Sequence, residues 1–144
     1  MYADLSIAAL KDINKYFVID FDSTFTQVEA LDELVKISLT GKDHAQQVLE
    51  TIQQTTEKAM AGDLSFAESL KIRVSLLEAN RKHLDQLVTV LKGRVSESFK
   101  RNREFFTTFS KQIRIVSSGF KEFIVPIVAD YGIEEENVYA NTFL

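Results

Sequence analysis

The 144-residue chain contains no cysteine, which excludes disulfides and thiolate metal sites and fits a cytoplasmic setting. It has one proline and five glycines; such sparse punctuation predicts long helices and few tight turns. No run of about 18 uninterrupted apolar residues is present to cross a membrane. The opening MYADLSIAALKDINKY carries charges where a signal peptide needs an apolar core. Positive charge is in deficit, 17 Lys and Arg against 21 Asp and Glu for a net charge of −4, which argues against a general nucleic-acid binder. What is present is 45% hydrophobic and 26% charged residues, the composition of a folded domain, and the length allows one sizeable core.

Hydrophobic periodicity orders the chain. Residues 16–21 (YFVIDF) form a short apolar, β-rich run that reads as a buried strand. Leu31, Leu34, Val35 and Leu39 then make one helical stripe. Val48, Ile52 and Ala59 mark a second helix that stops near Gly62. Phe66, Leu70, Val74 and Leu77 mark a third, with Ser65 and Glu68 at capping-box spacing. Leu84, Leu87, Val88 and Leu91 give a fourth, ending before Gly93, and a fifth runs from about Ser96 through Phe99 to Phe109. The period then changes. Residues 112–117 (QIRIVS) predict a strand, and Phe120, Phe123, Ile124, Ile127, Val128 and Tyr131 an amphipathic helix that Pro126 kinks or starts. Residues 137–143 predict a third strand. The order implies an α/β fold, a parallel sheet of about three strands with an inserted helical block.

Asp20 and Asp22 stand at the end of the first strand. Residues two apart on a strand point the same way, so both carboxylates leave the carboxyl edge of the sheet, where open α/β sheets bind ligands. Two acids at such a place suit a carboxylate nucleophile beside a general acid/base, or a divalent cation. On residues alone, DFDST is equally a turn that caps the next helix. A calcium loop is excluded, because its required Gly and Glu positions hold Phe25 and Leu31.

Residues 18–34 (VIDFDSTFTQVEALDEL), residues 57–77 (EKAMAGDLSFAESLKIRVSLL), residues 115–120 (IVSSGF) and residues 139–141 (YAN) together resemble the haloacid dehalogenase-like (HAD) phosphatases, in particular their phosphoserine phosphatase-like branch. The resemblance implies a partial Rossmannoid core over residues 1–26 and 93–144 and a helical cap that sets substrate specificity over residues 27–92. It implies Asp20 as nucleophile, forming an aspartyl-phosphate, and Asp22 as acid/base. The Asp20 carboxylate and the Asp22 carbonyl would hold Mg²⁺. Ser117, Ser118 and Gly119 would bind phosphate, although Ser118 stands where glycine is more usual and would crowd the backbone. Glu29 would meet the ammonium of a small phosphorylated substrate, phosphoserine, and Arg73 its carboxylate. Met60 and Phe66 would exclude water.

Each of these residues has an ordinary structural alternative. Ser117 could belong to a strand-to-helix turn, Glu29 could be a first-turn acid, Arg73 could pair with Glu68 or Glu78 on the surface, and Met60 and Phe66 could be core. His44 and His83 read as solvated helix residues, and the basic stretch from Lys92 to Arg103, interrupted by Glu97, as a solvated face. The resemblance further implies a third-motif lysine and a fourth-motif acidic loop, and the sequence contains neither; Lys121 falls in the helix after Ser117. The expectation is therefore an inactive amino-terminal part of a longer serine-biosynthesis enzyme. In it, YFVIDF is left as a sheet edge, able to self-associate there or through the cap. Two other functions stay open: a HAD phosphatase or phosphotransferase with another small substrate, and a non-catalytic binding domain.

Overall fold

In the computed structural model, which describes residues 14–143, three parallel strands lie in the order β1 (Phe17–Ile19), β2 (Ile113–Phe120), β3 (Val138–Asn141). Residues 1–13, most of the charged opening segment read for signal-peptide character, and Leu144 lie outside the described residues. In register, Phe17 pairs with Ile113 and Ile19 with Ile115, while Ile115 pairs with Val138 and Val116 with Tyr139. The chain divides into two compact units, one running to Gln27 and resuming at Arg94, the other Val28–Gly93.

In the sheet unit, period-2 alternation decides what is buried. Ile113, Ile115 and Val138 share one face and are fully or nearly fully buried. They pack with α7 (Lys121–Val128), whose Phe123, Ile124, Ile127 and Val128 are buried. Phe25 centres an aromatic cluster, with ring centroids 4.7 Å from Phe99, 5.1 Å from Tyr131, 5.9 Å from Phe106 and 5.9 Å from Phe21. Such pairs add about 0.5–1.5 kcal/mol each beyond burial. They fix the turn that follows β1.

β1 is not the buried strand that its composition predicts. Val18 is 68% exposed and Tyr16 59%, because β1 is an edge strand and these side chains share the sheet's other face with exposed Val116 and Tyr139. On that face the Arg114 guanidinium covers the Tyr16 ring at 4.6 Å. The single predicted fifth helix is also corrected. It is two helices, α5 (Glu97–Arg101) and α6 (Arg103–Thr108), broken at Asn102, whose amide donates to the Ser98 carbonyl at 2.7 Å and competes with the helical ladder. Pro126 lies inside α7, which ends two residues later and tightens into a turn over Ala129–Tyr131.

The helical unit contains α1 (Ala30–Ser38), α2 (Ala45–Ala61), α3 (Phe66–Ser75) and α4 (Arg81–Gly93). Val35, Leu39 and Ile52 form a buried cluster against which Val48, Leu49, Leu76 and Leu77 pack. The capping box is made in full: Glu68 N–H donates to Ser65 Oγ, and Ser65 N–H to Glu68 Oε2 at 3.1 Å. Gly62 ends α2 with φ 84°, a conformation that costs glycine little.

Candidate active site

Asp20 leaves β1 at its carboxyl end, exposed, with Oδ1 accepting from the Phe21 N–H at 2.7 Å. The chain then makes one irregular turn over Phe21–Phe25, anchored by those two buried rings and closed by the Thr26 N–H donating to the Phe21 carbonyl at 3.0 Å. Asp22 is half-buried and extended, and Ser23 is left-handed at φ 53°. Nothing in the sequence flags Ser23. A non-glycine residue in that region is uncommon, and it is held here because the turn is pinned on both sides.

The second wall comes from β2. Its pairing with β3 is irregular between Val116 and Phe120, so Ser117, Ser118 and Gly119 lie within a bulged strand and not in a turn after it. The Gly119 N–H donates to Ser117 Oγ at 3.0 Å. A Cβ at Gly119 would stand 3.2 Å from Ser117 Oγ and 3.3 Å from Asp22 Oδ2. The structure thus brings Asp22, Ser117 and Gly119 to one point at the carboxyl edge of the sheet. Ser118 is exposed, and its carbonyl accepts from the Asn141 amide at 2.8 Å. Asn141 is a bulge anchor that strand patterning alone does not reveal.

For a cation the site would offer the Asp20 carboxylate and, on the resemblance above, the Asp22 carbonyl. Among the described residues no group of three His, Cys, Asp or Glu could hold a metal. Two oxygen donors fit Mg²⁺, which keeps waters and substrate phosphate oxygens in its coordination shell. They would not form a full protein cage.

In the helical unit, Glu29 caps the start of α1 without a side-chain cap bond. Arg73, 12% exposed, donates from Nη2 to Asp32 Oδ1 at 2.5 Å; its partner is neither Glu68 nor Glu78. Hydrogen bonds from Ser65 hold the Glu68 carboxyl below its ordinary pKa of 4.5. Glu78 is lowered likewise, first by Lys42 and then by His44. His44 is therefore not merely solvated: its Nε2 lies 2.6 Å from Glu78 Oε1. His83 Nδ1 accepts from the Asn80 N–H at 3.2 Å. Met60 is 84% exposed and Phe66 57%, so neither is core. In the basic stretch Lys100 pairs with Glu97 at 2.8 Å, lowering the Glu97 pKa, and Arg103 stacks on Tyr131.

No protein-family model matches the chain. Over 125 residues it is 29% identical to the phosphoserine phosphatase of Drosophila melanogaster, covering 87% of this chain and 43% of that protein. A phosphoserine phosphohydrolase-like protein from Francisella tularensis superposes with a TM-score of 0.72 at 25% identity, over 88% of this chain and 57% of that one. A phospho-aspartyl intermediate analogue of phosphoserine phosphatase gives a TM-score of 0.64 at 25% identity, over 91% and 58%. The chain spans about half the length of the curated relatives it matches. With its three-stranded parallel sheet and mostly helical remainder, the chain has a partial haloacid dehalogenase-like fold, and over most of its length it is similar to phosphoserine phosphatases.

Proposed function

We propose that the chain supplies the nucleophile, acid/base and substrate-recognition half of a Mg²⁺-dependent phosphomonoesterase that releases serine from phosphoserine in the cytoplasm. The observation that carries this reading is the convergence on Gly119 of Ser117 Oγ and the Oδ2 of Asp22, which lies two residues after Asp20 in the chain. In the first step an Asp20 carboxylate oxygen attacks phosphorus and the bond to the serine oxygen breaks. Asp22 gives its proton to that leaving oxygen. Asp22 then takes a proton from water as the water oxygen attacks phosphorus. The bond to Asp20 breaks, leaving inorganic phosphate. Ser117 Oγ and the N–H groups after Asp20 hold the phosphoryl oxygens. Bound at Asp20 and the Asp22 carbonyl, Mg²⁺ would neutralise phosphate charge.

In the helical unit, the cap of this reading, Glu29 takes the substrate ammonium and Arg73 the carboxylate. Exposed Met60 and Phe66 are free to exclude water. The edge strand β1, with Val18 exposed, supports association of copies. The test is phosphoserine hydrolysis by the full-length protein with Mg²⁺. Asp20→Asn abolishes it in this account, and unchanged turnover would refute the mechanism.

A further inference from the structure

We infer that Asp32 is a positioning residue for Arg73, fixing its guanidinium so that it can receive a ligand carboxylate. The inference rests on the proposed reading of Arg73 as the carboxylate clamp. Arg73 is permanently charged and its side chain is 12% exposed, so it needs an anion close by. Three other acids of the helical unit are engaged elsewhere. Glu33 pairs with Lys36 at 2.7 Å, Glu68 bonds Ser65, and Glu78 bonds Lys42 and His44. Among the described residues, the acid bonded to Arg73 is Asp32, across 41 residues of sequence, joining α1 to α3.

The pair uses only part of the guanidinium's hydrogen-bonding capacity. Asp32 takes Nη2, while Nε is buried with no hydrogen-bond partner. The remaining Nη protons of the guanidinium, the buried Nε apart, would be the ones to meet a second carboxylate, on a group that Asp32 has already oriented. Asp32 also stands three residues after Glu29, on the same side of α1, so one helix turn would set both the ammonium acceptor and the carboxylate donor. Asp32 also lines a cavity of about 300 Å³ together with Lys36, Leu49, Ile52, Gln53, Thr56 and Glu57.

Two measurements test this. Calorimetry compares L-phosphoserine with phosphoethanolamine, which lacks the carboxylate. Asp32→Asn is expected to weaken phosphoserine binding about tenfold and leave phosphoethanolamine unmoved, with Asp32→Glu restoring the difference. An equal loss for both ligands, or no loss in a variant with native circular dichroism, overturns the inference. The second is nitrogen NMR of the ligand-free wild type, expected to show slow rotation of the Arg73 guanidinium that Asp32→Asn releases. A freely rotating group in the wild type overturns the inference whether or not any variant folds. Should wild type bind neither ligand, the phosphatase reading fails, and the NMR result alone decides the role of Asp32.

Discussion

The Gly119 N–H donates to Ser117 Oγ at 3.0 Å, and that oxygen shares with Asp22 Oδ2 the space a Cβ of residue 119 would fill. Three candidate groups thus meet where a methyl would be a tight fit. Gly119→Ala would bring the methyl within 3.2 Å of Ile124 Cδ1 and of Ser117 Oγ. The expected cost is about 1–3 kcal/mol in urea unfolding from overpacking. Ser117 and Asp22 should separate, weakening phosphate binding. An alanine variant as stable as wild type, with unaltered phosphate affinity, would show that the approach has no consequence.

The capping box at Ser65 gives a local prediction. Ser65→Ala removes the acceptor for the Glu68 N–H and should cost about 1 kcal/mol. The Glu68 carboxyl has a lowered pKa in the folded chain. Its contribution is therefore complete above pH 4.5 and lost as pH falls through the lowered folded value. Thermal melts from pH 6 to pH 3 should show a shallower acid loss in Ser65→Ala than in wild type.

Much of this was legible in the sequence, and what was not has identifiable causes. Helix stripes and caps are local, so α1 to α4 follow from spacing, and the Ser65–Glu68 pair needs no tertiary partner. The exposure of Val18 was not readable from a β-rich run, because burial of a strand depends on what covers its two faces. The break at Asn102 depends on one side-chain amide reaching Ser98. For the site, the DFDST and SSG segments are visible as motifs. The left-handed Ser23, the bulge tied by Asn141 and the choice of Asp32 over Glu68 or Glu78 for Arg73 are settled only by tertiary geometry.

The open face of β1 makes association measurable. Val18 is exposed on an edge strand and shares its face with exposed Tyr16. Lysine on such a strand opposes pairing with another chain. Light scattering should show wild-type mass rising with concentration, and Val18→Lys should hold the chain at monomer mass. A wild type that stays monomeric at high concentration contradicts self-association.

The most direct test is whether Asp20 accepts a phosphoryl mimic. Beryllofluoride binds a carboxylate in the geometry of an acyl phosphate, and a ligand that binds only the native state raises the melting temperature. With Mg²⁺ present, beryllofluoride is predicted to stabilise the wild-type chain by several degrees, and Asp20→Asn to abolish the shift. Equal stabilisation of both, or none of the wild type, would contradict Asp20 as the nucleophile.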